Sequence, residues 1–338
     1  MSRAIDRGST PIPPPAMPLL KKVLGPRITA SEIAGDASVR RFYRVVSGRK
    51  TAVLIVHPEP LDPAGALFSN HRVLASIGVP VPRILASDPQ HGLVVTEDLG
   101  DVTLQRHLAG RAGRPGLEDE AGRLYEEACE IIFLLHTRGE AALRPGDFAA
   151  GCALDCDRFL FELDHFHRHY IIGHRKMTPT AEDEKVLRAF YADLAEACDR
   201  LPRVYCHRDF QSRNLMVRRG RLGVIDYQDA RMGPYTYDAA SLLRDSSLDI
   251  DQALVDRMLV HLGRCLDRPP EELRRDFDLM ALQRNIKDLG TFGYMATVRG
   301  RPEYLAYVPR TLGFVRRALT ASRRYHLFYP VLERYVIS

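Results

Sequence analysis

Apolar and polar positions along the chain switch between a period of two and a helical period. Between residues 29 and 99 short β-rich runs predominate. Phe42-Tyr43-Arg44-Val45-Val46 and Thr51-Ala52-Val53-Leu54-Ile55-Val56 flank Ser47-Gly48-Arg49-Lys50, the pattern of a hairpin. A helix is predicted between Leu67 and Ile77, stopped by Gly78 and then by Pro80 and Pro82. Ile84-Leu85 and Leu93-Val94-Val95-Thr96 read as a further strand pair. After Gly100 the period lengthens: Leu124, Ala128, Ile131, Ile132 and Leu135 recur at helical spacing within 117–137, and Gly139 follows as a stop. Thr180-Ala181-Glu182-Asp183 has the form of a capping box, ahead of a helix with Leu187, Phe190 and Leu194 on one face. The period returns to two at Arg203–Cys206 and Leu215–Val217, the latter turning through Arg218-Arg219-Gly220 into Leu222–Ile225. Helices resume from Ala239.

These patterns predict an α+β, two-lobed architecture: a small N-terminal β-rich lobe over 19–99 and a larger helical lobe over 100–338, with the seam near Glu97–Asp101. Residues 1–18 carry Pro11, Pro13, Pro14, Pro15 and Pro18 and are expected to form a disordered tail rather than a packed element.

Composition narrows the class. The chain has 338 residues, 45% hydrophobic and 27% charged, enough for a sizeable core. Its net charge of +5 is weak and interspersed, which argues against a nucleic-acid or membrane-surface partner. No run approaches the ~18 apolar residues of a membrane span, and the first residues lack the apolar core of a secretory signal, so a soluble cytoplasmic protein is expected. The six cysteines include no CxxC pair and read as reduced structural thiols.

The chemistry concentrates in His207-Arg208-Asp209-Phe210-Gln211-Ser212-Arg213-Asn214, followed by Ile225-Asp226-Tyr227-Gln228-Asp229. The first stretch fits H-R-D-x-x-x-x-N, the catalytic-loop pattern of kinases. Asp209 would sit on a loop after a strand and accept the proton of an attacking hydroxyl. Asn214 and Asp226, at the two ends of a hairpin, would present hard oxygens to one Mg²⁺. Taken singly, each of these residues reads more readily as a turn residue or a strand-end cap; the four specified residues in order, between strands, carry the catalytic reading.

Cys206–Val217 with Val224–Leu242 resembles the aminoglycoside phosphotransferase and choline kinase superfamily, which shares the bilobal protein-kinase-like fold. Several stretches resemble one branch of it, the anomeric kinases of N-acetylmuramate and N-acetylglucosamine in cell-wall sugar recycling. They are Gly35–Arg44, Thr96-Glu97-Asp98-Leu99-Gly100, Ile225–Pro234 and Gln283–Gly290, with Tyr304-Leu305 and Pro309-Arg310. The resemblance implies a kinase that uses ATP and Mg²⁺ on the anomeric hydroxyl of a small-molecule sugar, with Asp209 catalytic and Asn214 and Asp226 as metal ligands. It implies a hinge at Glu97–Leu99 that meets adenine, and a nucleotide loop at Gly35–Arg41 in which Ser38 and Arg40 or Arg41 supply donors. An aminoglycoside or choline-type acceptor, or a non-catalytic nucleotide-binding module, are the competing readings.

Two departures stand out. No G-x-G-x-x-G is present, and Thr51–Val56 lacks the strand lysine that pairs with ATP phosphates and a helix glutamate. Arg41 or Arg44 is the expected substitute, or else the metal carries the neutralisation. On the acceptor side Arg158, Glu162, Asp229, Arg284, Asn285 and Lys287 are candidate sugar ligands, with Tyr294 or Tyr304 as platforms. His165, His167, His169 and His174 are not read as a metal site, because alternating histidines do not share a helix face.

Overall fold

A computed structural model of the chain describes residues 11–33, 39–109 and 116–337. Alternation builds the first layer. β1 (Thr29–Ile33), β2 (Arg41–Ser47), β3 (Lys50–Val56), β4 (Ile84–Asp88) and β5 (Leu93–Glu97) form an antiparallel sheet in the order β1-β2-β3-β5-β4. Ser47 pairs with Lys50 across a two-residue turn whose first member, Gly48, has φ +60°. Tyr43, Val45, Ala52, Leu54, Leu93 and Val95 point to one face, covered by Ala16, Leu20 and Leu24 of helix α1 (Ala16–Leu24). The opposite face carries Arg44, Val53 and Thr96 side by side.

Helix α1 corrects the C-terminal end of the expected disordered tail, residues 16–18. Residues 1–10 lie outside the described residues, but the helix starts at Ala16, inside the proline-rich stretch. Pro18 falls in its first turn, where the missing N–H has no intrahelical partner to lose. The spacing of Ala16, Leu20 and Leu24 by four places them on one stripe, and burying that stripe against the sheet stabilises a helix too short to persist alone.

Helix α2 (Ala66–Ser76) belongs to the small lobe by sequence, yet its apolar stripe packs elsewhere. Val73 and Leu74, with Ile77 and Val79 just beyond the helix, join the core of the larger lobe rather than that of the sheet. The helix thus bridges the two lobes.

The larger lobe holds α3 (Leu104–Ala109), α4 (Leu117–Arg138), α5 (Phe148–Gly151), α6 (Cys156–Phe166), α7 (Ala181–Asp199) and β6 (Arg203–Cys206). Then come β7 (Leu215–Arg218), β8 (Arg221–Val224), β9 (Arg231–Pro234), α8 (Tyr237–Leu243), α9 (Gln252–Leu266), α10 (Pro270–Thr297), α11 (Val308–Ala321) and α12 (Tyr329–Leu332). β7 and β8 form a hairpin closed by Arg219 and Gly220, at φ +53° and +75°, the pair of left-handed residues a tight hairpin turn requires. β6 pairs antiparallel with β9, Cys206 opposite Arg231. The long helix α10 runs through this core. It comes so close to the chain after α6 that a Cβ on Gly293 would lie 2.4 Å from the His169 carbonyl oxygen, and one on Gly290 2.6 Å from Phe166 Cα. There α6 continues as a wider π-helical stretch, His167–His174, in which Arg175 N donates to Tyr170 O at 2.8 Å. The six cysteines are free thiols. Among the described residues no helix is long and apolar enough to cross a membrane.

Candidate active site

Three β-strand ends bring Asp209, Asn214 and Asp226 together. The loop after β6 is held from below by α8 and the residue that follows it by two positions. The Asp238 carboxylate accepts from His207 N at 2.7 Å and Arg208 N at 2.9 Å, and Asp245 Oδ2 accepts from Ser212 N at 2.9 Å and Ser212 Oγ at 2.5 Å. His207 Nε2 meets Ile225 O at 3.1 Å, tying this loop to the end of the hairpin. Arg208 and Asp226 both adopt left-handed backbone, φ +77° and +65°. Such conformations cost free energy in residues with a Cβ and persist where the surroundings over-determine them. Asn214 Nδ2 donates to Asp209 O at 2.9 Å, which fixes the amide and leaves its oxygen for another partner. Ile225 N donates to Asn214 O at 3.0 Å, so Asn214 and Asp226 flank the base of one hairpin.

Asp209 is partly exposed. Burial works against its charge, but Lys287, then Arg208 and Arg284, outweigh that penalty and hold the carboxyl at about 2. Lys287 sits 3.4 Å from Asp288 Oδ1; burial works against its charge, and Asp288, Tyr237 and Asp209 together outweigh burial and Arg284 and raise its pKa.

Asp226 Oδ1 accepts from Arg40 Nη2 at 2.7 Å and from Gln228 Nε2 at 3.1 Å, while Arg40 Nη1 donates to Gln228 Oε1 at 3.0 Å. The oriented oxygen of Asn214 and the second oxygen of Asp226 are hard donors of the kind magnesium takes. Among the described residues no cluster of three His, Cys, Asp or Glu side chains could hold a metal. One carboxylate and one amide suit a magnesium ion that completes its shell with water and phosphate oxygens.

At the seam, Arg44 fastens the sheet to the connecting segment: Nε and Nη2 reach the Asp98 carboxylate at 2.8 and 3.0 Å, and Nη1 reaches Asp101 at 2.5 Å. Glu97 pairs through its side chain with Arg218 at 2.9 Å and Arg83 at 3.3 Å. Leu99 packs against Gly223, where an added Cβ would lie 2.7 Å from Leu99 Cδ1, and the backbone N–H and C=O of Leu99 find no partner among the described residues. Ser38 lies outside the described residues. Arg41 is turned to Glu32 on the neighbouring strand, at 3.1 Å. The expected substitutes for the strand lysine therefore have other partners, and the arginine that reaches Asp226 is Arg40. From α2 comes Asn70 in place of a glutamate: its Nδ2 lies 3.0–3.2 Å from the carbonyls of Tyr227, Gln228 and Ala230.

On the acceptor side Arg208 Nη1 pairs with Asp229 at 3.2 Å, and Arg231 Nη2 with the same oxygen at 3.1 Å. Glu162 is buried and meets Arg158 Nε at 3.3 Å, Gln283 Nε2 at 3.1 Å and Arg208 Nη2 at 3.8 Å. Arg284 is 3% exposed, and its Nη1 has no hydrogen-bond partner. Asn285 is elsewhere, donating to Arg244 O at 3.1 Å as a tie between α10 and the end of α8. Tyr304 packs against Phe292 and Tyr307, and Tyr294 against His165 and His169. His165 and His169 stand four apart and do share a face, their ring centroids 4.3 Å apart, which corrects the argument from alternation for that pair.

Sequence reasoning overlooked Asp238, Asp245, Asn70 and Arg231. Asp238 had a visible signal, a lone acid in the largely apolar run Tyr237–Leu243, whereas Asp245, beyond the helix, had none. Asn70 had none beyond being polar on the apolar stripe of α2.

The phosphotransferase enzyme family matches residues 29–274. An N-acetylmuramate/N-acetylglucosamine kinase of Pseudomonas aeruginosa is 31% identical over 293 residues, spanning 85% of this chain and 82% of that protein. One of Neisseria meningitidis is 30% identical, spanning 88% and 87%. Among solved structures, a choline/ethanolamine kinase family protein from Mesorhizobium loti aligns with a TM-score of 0.60 at 18% identity, over 94% of this chain and 96% of that one. The ADP-bound aminoglycoside phosphotransferase APH(2'')-Ib gives 0.57 at 16%, over 88% and 95%. At those identities the likeness concerns the fold, which is bilobal and kinase-like.

Proposed function

The chain belongs to the phosphotransferase enzyme family, and from that premise we propose that it transfers the γ-phosphoryl group of ATP to the anomeric C1 hydroxyl of N-acetylmuramate or N-acetylglucosamine. The observation that carries the reading is Asp209 itself, a partly exposed carboxylate at a strand end, kept ionised by Lys287, Arg208 and Arg284.

A carboxyl held at about 2 is a weak base. Its work is therefore to orient the acceptor hydroxyl and to take its proton late, once bond formation to phosphorus has made that proton acidic. This matches the loose transition state of phosphoryl transfer, in which positioning and charge neutralisation dominate. An anomeric hydroxyl is more acidic than other sugar hydroxyls and lightens the demand. Asn214 and Asp226 would hold magnesium, which supplies charge neutralisation on the phosphate oxygens. The unpartnered backbone of Leu99, next to Glu97, would meet the adenine edge, with the nucleotide lying between the sheet and the helical lobe.

Lys287, Arg208 and Arg284 gather positive charge around Asp209. Such a lining favours a neutral or carboxylate-bearing sugar and disfavours a polycationic aminoglycoside. The name borne by the bacterial relatives, at 31% and 30% identity, supports the same choice.

The test offers the chain Mg–ATP with N-acetylmuramate, N-acetylglucosamine, choline and kanamycin in turn. ADP release with the amino sugars, and phosphorus coupling to C1 in the NMR spectrum of the product, is the expected result. Phosphate on another oxygen, or turnover with choline or kanamycin alone, contradicts the assignment.

A further inference from the structure

Among the described residues, β3 presents no cation on the sheet face that carries Arg44. On β3 the residues sharing the face of Arg44 are Thr51, Val53 and Ile55. None is basic. Helix α2 offers no acid to orient a cation there, and its buried Asn70 is committed to three carbonyls.

Arg40 stands next to this gap. It precedes β2 and, by alternation, shares the side of Phe42 and Arg44; its guanidinium lies 5.5 Å from the Phe42 ring centroid. The last pair of the β2–β3 ladder is Arg41 with Val56, so the next step outward sets Arg40 across from His57. His57 Nε2 is buried without a hydrogen-bond partner. Burial, and then the charge of Arg40, depress the His57 pKa to about 4, leaving a neutral ring beside the arginine. From here Arg40 crosses the cleft to Asp226 Oδ1, with its side chain 17% exposed.

We propose that Arg40 is the phosphate ligand of the nucleotide site, supplying from the start of β2 the charge that β3 lacks, and that without nucleotide its guanidinium rests on the carboxylate meant for the cation. A guanidinium that gives up this carboxylate to the cation would have only a short way to move to the phosphate oxygens that the same cation would neutralise. Arginine's planar fork then takes those oxygens in a charge-assisted pair. The exchange is between anions: Arg40 leaves one carboxylate oxygen for a phosphate of higher charge, and Asp226 is freed for the cation.

The inference rests on the proposed nucleotide site, and it makes predictions of opposite sign for two ligands. In Arg40→Ala, affinity for Mg–ADP should fall about 10- to 100-fold, as for loss of charge-assisted bonds. Adenosine, which has no phosphate, should bind within about 2-fold of the unaltered chain. Mn²⁺ alone, followed by electron paramagnetic resonance, should bind several-fold tighter, because its carboxylate no longer carries a competing cation. Calorimetry with ADP and adenosine supplies the other arms. Parallel losses for ADP and adenosine, no change for ADP, or weaker Mn²⁺ binding overturn the proposal. Should Arg40→Ala not fold, Arg40→Lys keeps the charge and loses the fork. It should weaken Mg–ADP several-fold and spare adenosine, and unaltered Mg–ADP binding overturns the proposal. An unaltered chain that binds neither adenosine nor Mg–ADP removes the nucleotide site, and this inference with it.

Discussion

Asn70 on α2 places its side-chain nitrogen 3.2 Å from the carbonyl oxygen of Tyr227, 157 residues further along the chain. The same nitrogen serves Gln228 O and Ala230 O, and Tyr205 Oη donates to Asn70 Oδ1 at 3.1 Å. A helix of the small lobe thereby holds the turn that carries Asp226. In Asn70→Ala the carbonyls of Gln228 and Ala230 and the tyrosine hydroxyl lose their partner, while Tyr227 O keeps Ala230 N at 3.1 Å; an unmet buried polar group costs about 1–3 kcal/mol. Urea unfolding should show a loss of about 2–3 kcal/mol, and the KM for Mg–ATP should rise. Unchanged stability would mean that the turn is held by other contacts.

Helix α10 brings Arg284 and Lys287 to Asp209, and its approach to the π-helical stretch depends on Gly293. A Cβ there meets the His169 carbonyl, which is backbone and cannot turn aside. Gly293→Ala should cost about 1–3 kcal/mol by overpacking. Gly313 on α11 is the control, with nothing within 4 Å of an added Cβ. Gly313→Ala should be neutral or stabilise by up to about 1 kcal/mol, from helix propensity alone. Equal effects at the two glycines would show that the close approach is not under strain.

Buried histidines set the response to acid: burial lowers the pKa of His71, His167, His169 and His174, and of three others most strongly. Burial, then the charge of Arg268, holds His136 at about 3. Burial, followed by Arg40 for His57 and by His169 for His165, holds each of these at about 4. An unfolded histidine titrates near 6.5, so as pH falls below that value the unfolded chain binds protons that the folded chain refuses. Stability is complete above about 6.5 and declines towards pH 4. Asp209, depressed in the folded state, contributes stability above about 3.9 that is lost only as pH falls towards 2, outside this window. The urea midpoint should be lower at pH 5 than at pH 7.5, and His136→Gln should flatten the slope. A midpoint that rises on acidification contradicts the assignment.

Much of this architecture was legible because local patterns and tertiary packing agree. The hairpin read at Phe42–Val56 is β2 and β3, and the helix read at Leu67–Ile77 is α2, within a residue at each end. Thr180 caps α7 through Asp183 N at 3.1 Å, as its spacing implied. Where pattern and packing diverge, the reading failed. Helix α1 hides among prolines because a first turn tolerates them. Arg231-Met232-Gly233-Pro234 carries no strand pattern of its own, yet it becomes β9 because β6 offers a ladder and Gly233 lets Leu154 and Cys206 approach. Arg40 and Arg41 are indistinguishable as letters. Their opposite sides of β2 send one to Asp226 and the other to Glu32. Asp238 and Asp245 act on the backbone of a loop some thirty positions earlier, a relation that no local spacing encodes.

The central claim is that Asp209 orients and deprotonates the acceptor hydroxyl while nucleotide binding rests on other residues. Asp209→Asn removes the charge and keeps the shape. With Mg–ATP and N-acetylmuramate or N-acetylglucosamine, turnover should fall by about 10²–10⁴-fold, with affinity for Mg–ADP within a few-fold of the unaltered chain. Turnover close to that of the unaltered chain would contradict the account.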